Sequence, residues 1–368
     1  MVKGMVNSLP IFKNSRTSFL FKTEEAQFNN LKFCSYGDIL VYLKGNVNLG
    51  YGQELTLGGN LYRRRFLLNQ DRYLVMNARI IKLYPENKGL ILKRLAFYLK
   101  KKIENIIFKY LAATPAAILD AMVLGERRTL SPLINNAMIK TGTVHILVVS
   151  GFNTSLVALI IISLLKLFRV SRRASFYIAA FLLIIYCLMT GVSSPVVRAT
   201  VMAIVFMGAY LLKREVDIYN SCAIAAGFIL AGNPRQLFNI GFQLSFISVL
   251  SIVYLYPRLK IFFKPELIKI KPARFLMEGF LVSLSAWLGT LGPIVCYFKI
   301  FSPITVIANI FIVPLASLIT LSGFTLVLTA IFCPAIAPLF ASTNELLVVL
   351  LLNINAFLLK IPGASFNL

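Results

Sequence analysis

The only histidine in this 368-residue chain, His145, is followed by Ser150, Gly151 and Asn153 in an otherwise apolar run. A histidine and a serine within reach of each other could act as base and nucleophile. On a helix, however, Asn153 lies about 80° and Ser150 about 140° round from His145, so the group can line one broad polar face without His145 and Ser150 being neighbours. That spacing weakens a Ser–His dyad, and with it an intramembrane hydrolase, unless His145 sits in an unwound turn. A histidine that simply satisfies a hydrogen bond is the plainer alternative. One imidazole is too few for a His-rich metal hydrolase site, so no metal, cofactor or catalytic residue is assigned and a metal-dependent nuclease is not expected. The five cysteines, Cys34, Cys187, Cys222, Cys296 and Cys333, stand singly with no CxxC pair and read as packing residues.

Other polar residues interrupt the apolar runs, where each is costly and therefore informative. Ser193-Ser194-Pro195 reads as a cap and first-turn proline, with Arg198 one turn in. Arg198 either snorkels to the interface or faces a pore. Asn239 and Gln243 are four apart and share a helix face, so they can bond each other or project into a cavity; Ser245 follows. Gly292-Pro293, and Pro314 after Asn309, remove helical hydrogen bonds, which suggests broken segments beside a path or plain kinks. In a different setting, Arg63-Arg64-Arg65 is a basic run suited either to solvation or to phosphate.

These residues need elements to hold them. The chain is 58% hydrophobic and 14% charged, with mean hydropathy +0.78 and net charge +24. An ordinary soluble enzyme is thereby excluded, because soluble domains average about 45–50% apolar and 25% charged residues. Spans are expected at about 144–168, 174–191, 195–212, 217–232, 237–256, 275–298, 303–330 and 335–358. Lys/Arg-rich connections at 169–173, 213–214 and 257–274 alternate with nearly uncharged ones, which places the basic loops inside and the N-terminal domain outside.

Before residue 90 no apolar stretch approaches the roughly 20 residues of a span. Lys3 to Ser8, Ser18 to Lys22, Asp38 to Gly45, Gln53 to Leu61 and Tyr73 to Leu83 read as strands, with turns at Tyr36-Gly37-Asp38, Gly50-Tyr51-Gly52 and Gly58-Gly59-Asn60. Five short strands suggest a small OB-like barrel. Residues 1–109 hold net +12, half the total excess. A basic barrel with aromatics at Tyr62, Phe66 and Tyr73 fits single-strand binding. From Leu90 to Tyr110 an apolar stripe at Leu92, Leu95, Leu99, Ile103, Ile106 and Tyr110, with Lys93, Arg94, Lys100, Lys101, Lys102 and Lys109 on other faces, predicts an interfacial helix on anionic lipid. Thr114-Pro115 and Ser131-Pro132 open two short helices stopped by Gly125 and Gly142. No signal peptide precedes residue 90 to export the domain, which suggests a truncated start or export directed by later spans.

At these residues the sequence resembles the ComEC family of competence DNA-uptake channels. Val144 to Asn153, following Leu124-Gly125-Glu126-Arg127, is similar to that family's His-Leu-Leu-Ala-Ile-Ser-Gly-Leu-His segment. Val197-Arg198-Ala199-Thr200-Val201-Met202, Gly241-Phe242-Gln243-Leu244-Ser245-Phe246 and Ala308-Asn309 through Pro314-Leu315 resemble three further motifs in the family's order. Together they cover most of residues 110–320. The N-terminal domain also resembles the family's extracytoplasmic OB-like domain. Asn153 departs from the family's second histidine, helices that usually precede the OB-like domain are missing, and so is the metallo-β-lactamase-like domain that ends many members.

The expectation is a polytopic α-helical membrane protein of about eight spans with a small N-terminal all-β OB-like domain. Its parts would be an extracytoplasmic OB-like domain (1–89), an interfacial helix with short linker helices (90–143) and a membrane channel domain (144–368). The resemblance implies a non-enzymatic channel in the bacterial cytoplasmic membrane that imports single-stranded DNA during natural transformation. Arg63, Arg64 and Arg65 would collect the strand; His145, Ser150, Gly151, Asn153, Arg198, Gln243, Ser245, Gly292, Pro293, Asn309 and Pro314 would line or shape the path. Expected partners are single-stranded DNA, membrane lipid, an external DNA receptor, a cytoplasmic motor or strand-binding protein, and a separate nuclease. The alternatives are an intramembrane hydrolase and a transporter of a small anionic metabolite.

Overall fold

A computed structural model describes residues 1–13, 15–28, 31–47, 49–66, 69–213, 215, 217–361 and 366–367, with side chains for all of these except 13, 28, 31–36, 63–66, 69–75, 86, 267 and 367. The chain divides into two compact units, Met1–Leu99 and Lys100–Leu368.

The first unit is built from β1 (Val2–Val6), β2 (Ile11–Lys13), β3 (Arg16–Phe28), β4 (Leu31–Lys44), β5 (Gln53–Phe66) and β6 (Asn69–Asn87). Strand side chains alternate between faces, and the inward set is apolar: Val2 and Val6, Phe19 and Phe21, Ile39, Val41 and Leu43, Leu55 and Leu57, and Met76 form one core. β1 pairs with β5, β5 with β6, β6 with β4, β4 with β3, and β3 again with β1. These five strands close a circuit in which only β4–β6 is parallel, an OB-like arrangement. Each of the five expected strands lies at one of them, and β2 is an addition pairing with the start of β3.

Two expected turns are corrected. Gly37 lies within β4, beside the register shift at Thr23 to Glu25, and Gly58-Gly59-Asn60 lies within β5. The second error has a physical reason: a side chain on Gly59 would collide with the Asn77 carbonyl, so glycine there permits close approach of β5 to β6 instead of reversing the chain.

α1 (Ile91–Tyr110) contains the boundary between the units. Its most buried residues are Ala96, Lys100 and Ile107 rather than the predicted apolar stripe; Leu95 is exposed. Lys100, assigned from sequence to a polar face, turns inward because Glu126 is there to pair with it, 3.4 Å away.

The second unit continues with α2 (Ala113–Leu124), α3 (Pro132–Lys140), a 3₁₀ turn at Val144–Leu147, α4 (Gly151–Leu167), α5 (Arg172–Met189), α6 (Ser194–Leu211), α7 (Ile218–Gly232), α8 (Ile240–Phe263), α9 (Lys271–Phe298), α10 (Ile304–Phe332) and α11 (Ala337–Leu359). Each of the eight expected spans overlaps one of helices α4 to α11, although the first, 144–168, begins in the 3₁₀ turn that precedes α4. Among the described residues six of these, α5, α6, α8, α9, α10 and α11, are long and apolar enough to cross a membrane; α4 and α7, at 17 and 15 residues, are shorter apolar helices. α2 is almost entirely buried and packs on α10 and α11. It ends at Gly125, whose φ of 73° is the left-handed conformation that glycine adopts without a Cβ penalty.

Candidate functional site

α6 packs on both α4 and α8, and Arg198 of α6 meets Gly151 at the start of α4 and Ser245 of α8. Ser150 caps α4, accepting a hydrogen bond from the Asn153 amide at 3.4 Å, and Gly151 forms the first residue of the helix. A Cβ on Gly151 would stand 3.4 Å from Nη2 of Arg198 on α6. Glycine therefore brings the start of α4, where unpaired amides concentrate positive partial charge, against the guanidinium.

Arg198 is only 7% exposed. Its Nε donates to Ser245 Oγ of α8 at 2.9 Å, its Nη1 lies 3.5 Å from Met202 Sδ, and its guanidinium stands 5.6 Å from the centre of the Phe246 ring. Among the described residues no carboxylate pairs with it. The sequence supplies a reason: between Glu126 and Glu215 there is no Asp or Glu.

Other expected residues have separate tasks. Asn153 is buried and donates from Nδ2 to the Met122 carbonyl of α2 at 2.8 Å. His145 does lie in an unwound 3₁₀ turn, with Nδ1 3.1 Å from the Gly142 carbonyl, and no bond to Ser150 accompanies it among the described residues. Gln243 bonds the Leu237 carbonyl and not Asn239; Asn239 instead caps α8 by accepting from the amides of Gly241 and Phe242. Asn309 donates to Ser283 Oγ of α9 at 3.0 Å, and its own Oδ1 is buried without a hydrogen-bond partner among the described residues. α9 and α10 run unbroken through Gly292-Pro293 and Pro314, because one missing amide deprives only one carbonyl. Arg63, Arg64 and Arg65 lie on β5 opposite Leu74, Tyr73 and Arg72, and their side chains, with those of Phe66 and Tyr73, lie outside the described residues.

Sequence reasoning missed Asp120, fully buried in α2 with both carboxylate oxygens lacking a hydrogen-bond partner among the described residues. A lone acid in an otherwise uncharged helix was the available signal. It also missed Tyr186, whose hydroxyl donates to the Val123 carbonyl at 2.9 Å, and Asn344, whose Nδ2 bonds Ile319 O and Ser322 Oγ.

Among the described residues, six span-length helices and a small β unit define a polytopic helical membrane protein. Residues 122–368 match the family described as "Competence protein", and the chain belongs to that family. It is 24% identical over 334 residues to "ComE operon protein 3" of Bacillus subtilis (strain 168), covering 87% of this chain and 41% of that protein. A protein of Aquifex aeolicus (strain VF5) named "Uncharacterized protein" is 28% identical over 323 residues, covering 87% of this chain and 70% of the other. The chain thus spans less than half the length of the Bacillus relative. No solved structure matches it.

Proposed function

We propose that this chain forms a multi-pass channel that carries single-stranded DNA inward across the cytoplasmic membrane during natural transformation. The observation that carries this reading is Arg198, held by Ser245 against the start of α4 with no carboxylate partner among the described residues. A single charge at the centre of a bilayer costs about 2.5–3.5 kcal/mol on insertion scales, so a polyanion needs a polar path. A guanidinium not already neutralised can pair with a phosphodiester through two parallel hydrogen bonds. Membership of the competence family favours DNA as the polyanion.

In this reading Ser150, Gly151, Arg198 and Ser245 form a phosphate contact along the path, while Asn309, Gln243 and His145 shape neighbouring segments. The N-terminal unit lies outside the cell and collects the strand; a receptor outside and a motor or strand-binding protein inside supply and draw it.

The test is uptake of labelled DNA in a strain lacking the gene, complemented with wild type or Arg198→Met. Loss of uptake in the variant at normal protein level is expected. Normal uptake in the uncomplemented deletion strain would sink the channel, and an unaffected Arg198→Met strain would sink the arginine's part in it.

A further inference from the structure

Residues 100–110, the second half of α1, and α2 are the two arms of a hairpin whose contacts fix its depth. The arms begin and end together: Lys100 Nζ lies 3.4 Å from Glu126 Oε2, just past the end of α2. That level is where membrane helices start and stop. The Met122 and Val123 carbonyls accept from Asn153 in the first turn of α4 and from Tyr186 in the last turn of α5. A Cβ on Gly125 would stand 3.4 Å from the Thr190 carbonyl, where α5 ends.

The tip of the hairpin lies at another level. The Ala112 amide donates to Glu345 Oε1 of α11 at 2.7 Å. Between Ala337 and Leu359, Glu345 stands about 12 Å from one end of α11 and about 21 Å from the other, at 1.5 Å per residue. Its neighbour Asn344 bonds Ile319 and Ser322, near the middle of α10. Residues 100–110 therefore descend about 15 Å and α2 climbs about 18 Å back, half of a hydrocarbon core of roughly 30 Å. A turn at such depth needs its backbone satisfied by protein, and Glu345 takes the amide there.

The descending arm is charged. Lys100 and Ile107 are buried, while Lys101, Lys102, Asn105 and Lys109 are exposed and fall within about 100° of one another round the helix. Among the described residues none of these three lysines has an ion pair, and Lys109 Nζ stands 5.3 Å from the centre of the Tyr110 ring. Lys101 and Lys102 are within a turn of the boundary and can snorkel to it. Lys109 is about 12 Å further along, too deep for its stem to reach the headgroups, and Asn105 has no long stem at all. Hydrocarbon does not solvate such a face, whereas a water-filled cavity does.

We propose that residues 100–124 form a re-entrant hairpin, and that Lys101, Lys102, Asn105 and Lys109 are the wall of a water-filled vestibule whose ammonium groups bind phosphates of the passing single strand. A lipid headgroup stays at the boundary, so it would serve Lys101 and Lys102 and leave Lys109 without a counter-ion. The proposal rests on reading the chain as a channel for single strands, and it turns the expected interfacial helix into a path-lining one.

The test uses the full chain in nanodiscs of zwitterionic lipid, with wild type and its native cysteines as the blank. Ala112→Cys/Glu345→Cys should cross-link within one chain through a short bis-maleimide; absence of the cross-link overturns the hairpin, because a helix on the membrane surface cannot reach the middle of α11. A charged, water-soluble thiol reagent should modify Asn105→Cys and Lys109→Cys at rates within about tenfold of Lys101→Cys, and Val349→Cys, at an exposed apolar position of α11, about a hundredfold more slowly. Rates at positions 105 and 109 as slow as at 349 overturn the vestibule. A saturating thymidine oligonucleotide should slow modification at 105 and 109 about fivefold, while anionic lipid in the nanodisc should slow it only at 101. No protection by the oligonucleotide, or protection at 109 by the lipid alone, overturns the strand contact. In DNA uptake, Lys101→Glu/Lys102→Glu/Lys109→Glu should lose about tenfold and the same three changed to Arg should not. Normal uptake in the Glu variant, with uptake lost on Arg198→Met, removes this wall alone. Normal uptake in the deletion strain removes the channel, and the cross-link and labelling rates still decide the hairpin.

Discussion

The Asn153 side-chain amide on α4 donates to the Met122 carbonyl at the end of α2, 2.8 Å away in a buried setting. The last four carbonyls of a helix have no partner within it. Asn153 satisfies one of them and the Tyr186 hydroxyl, on α5, satisfies the next, Val123. At the position where the resembled family has a histidine, this chain has a strut between helices.

Asn153→Ala is expected to leave the Met122 carbonyl buried and unpaired, at a cost of about 1–3 kcal/mol. A thermal melt in detergent should show the loss, and Tyr186→Phe should produce a loss of similar size by freeing Val123. An unchanged melting temperature in both would show that water already serves these carbonyls.

Arg198→Met is expected to separate stability from function. Replacing a buried charge with a hydrophobe of similar volume is often neutral or stabilising, so the melting temperature should hold or rise while DNA uptake is lost. A fall in stability parallel to the fall in uptake would instead make Arg198 a structural residue.

Asp120 imposes a pH dependence. Its carboxyl is pushed up to about 8, first by burial and then by Glu104, with Glu126 adding to this and Lys100 opposing it. Elsewhere around α2, α10 has no charged residue, and Glu345 of α11 accepts from the Ala112 amide at the other end of the helix. An acid whose folded pKa is raised favours the folded state below its unfolded value of about 3.8, and that support is lost as pH rises toward 8. Asp120→Asn, which mimics the protonated form, should therefore melt above wild type at pH 8.5, with the difference shrinking by pH 5. Parallel melting curves at both pH values would contradict it.

Glu54 gives the opposite sign. Burial alone would raise its carboxyl, but hydrogen bonds from Lys88 at 2.9 Å and Lys3 at 3.2 Å, with their charges, hold it below the usual value of 4.5. Its contribution is present above 4.5 and is lost as pH falls through the lower folded value. Glu54→Gln should destabilise the β unit at pH 7 and cease to differ from wild type in strong acid, as read by protease resistance of residues 1–99 in the full chain.

Apolar runs located helices α4 to α11, six of them long enough for a bilayer among the described residues, because apolar length is a local property of the sequence. Strand positions were legible for the same reason, through short apolar runs such as Phe19-Leu20-Phe21 and Ile39-Leu40-Val41 and the alternation in Leu55-Thr56-Leu57. Partner choice was not legible. The residues joined by Asn153 and Met122 are 31 apart, by Tyr186 and Val123 63 apart, and by Thr141 and Asn355 214 apart. Spacing on one helix suggested Asn239 with Gln243, while both found backbone groups closer at hand. Glycine misled in β5, where Gly59 serves strand approach and not reversal. The buried role of Lys100 emerged only from three-dimensional packing, since periodicity assigns charges to solvent by default, whereas Asp120 stands out as the lone acid of α2.

The two caps on α2 also bear on how the protein is made. α2 emerges from the ribosome before α4 and α5, which carry the groups that complete its end. The Met122 carbonyl stays open until residue 153 has been inserted and the Val123 carbonyl until residue 186, at the end of a helix whose last turn has no side-chain donor of its own. The helix can therefore settle only after its downstream neighbours arrive, and a nascent chain halted before α5 would present an unfinished terminus to quality-control proteases.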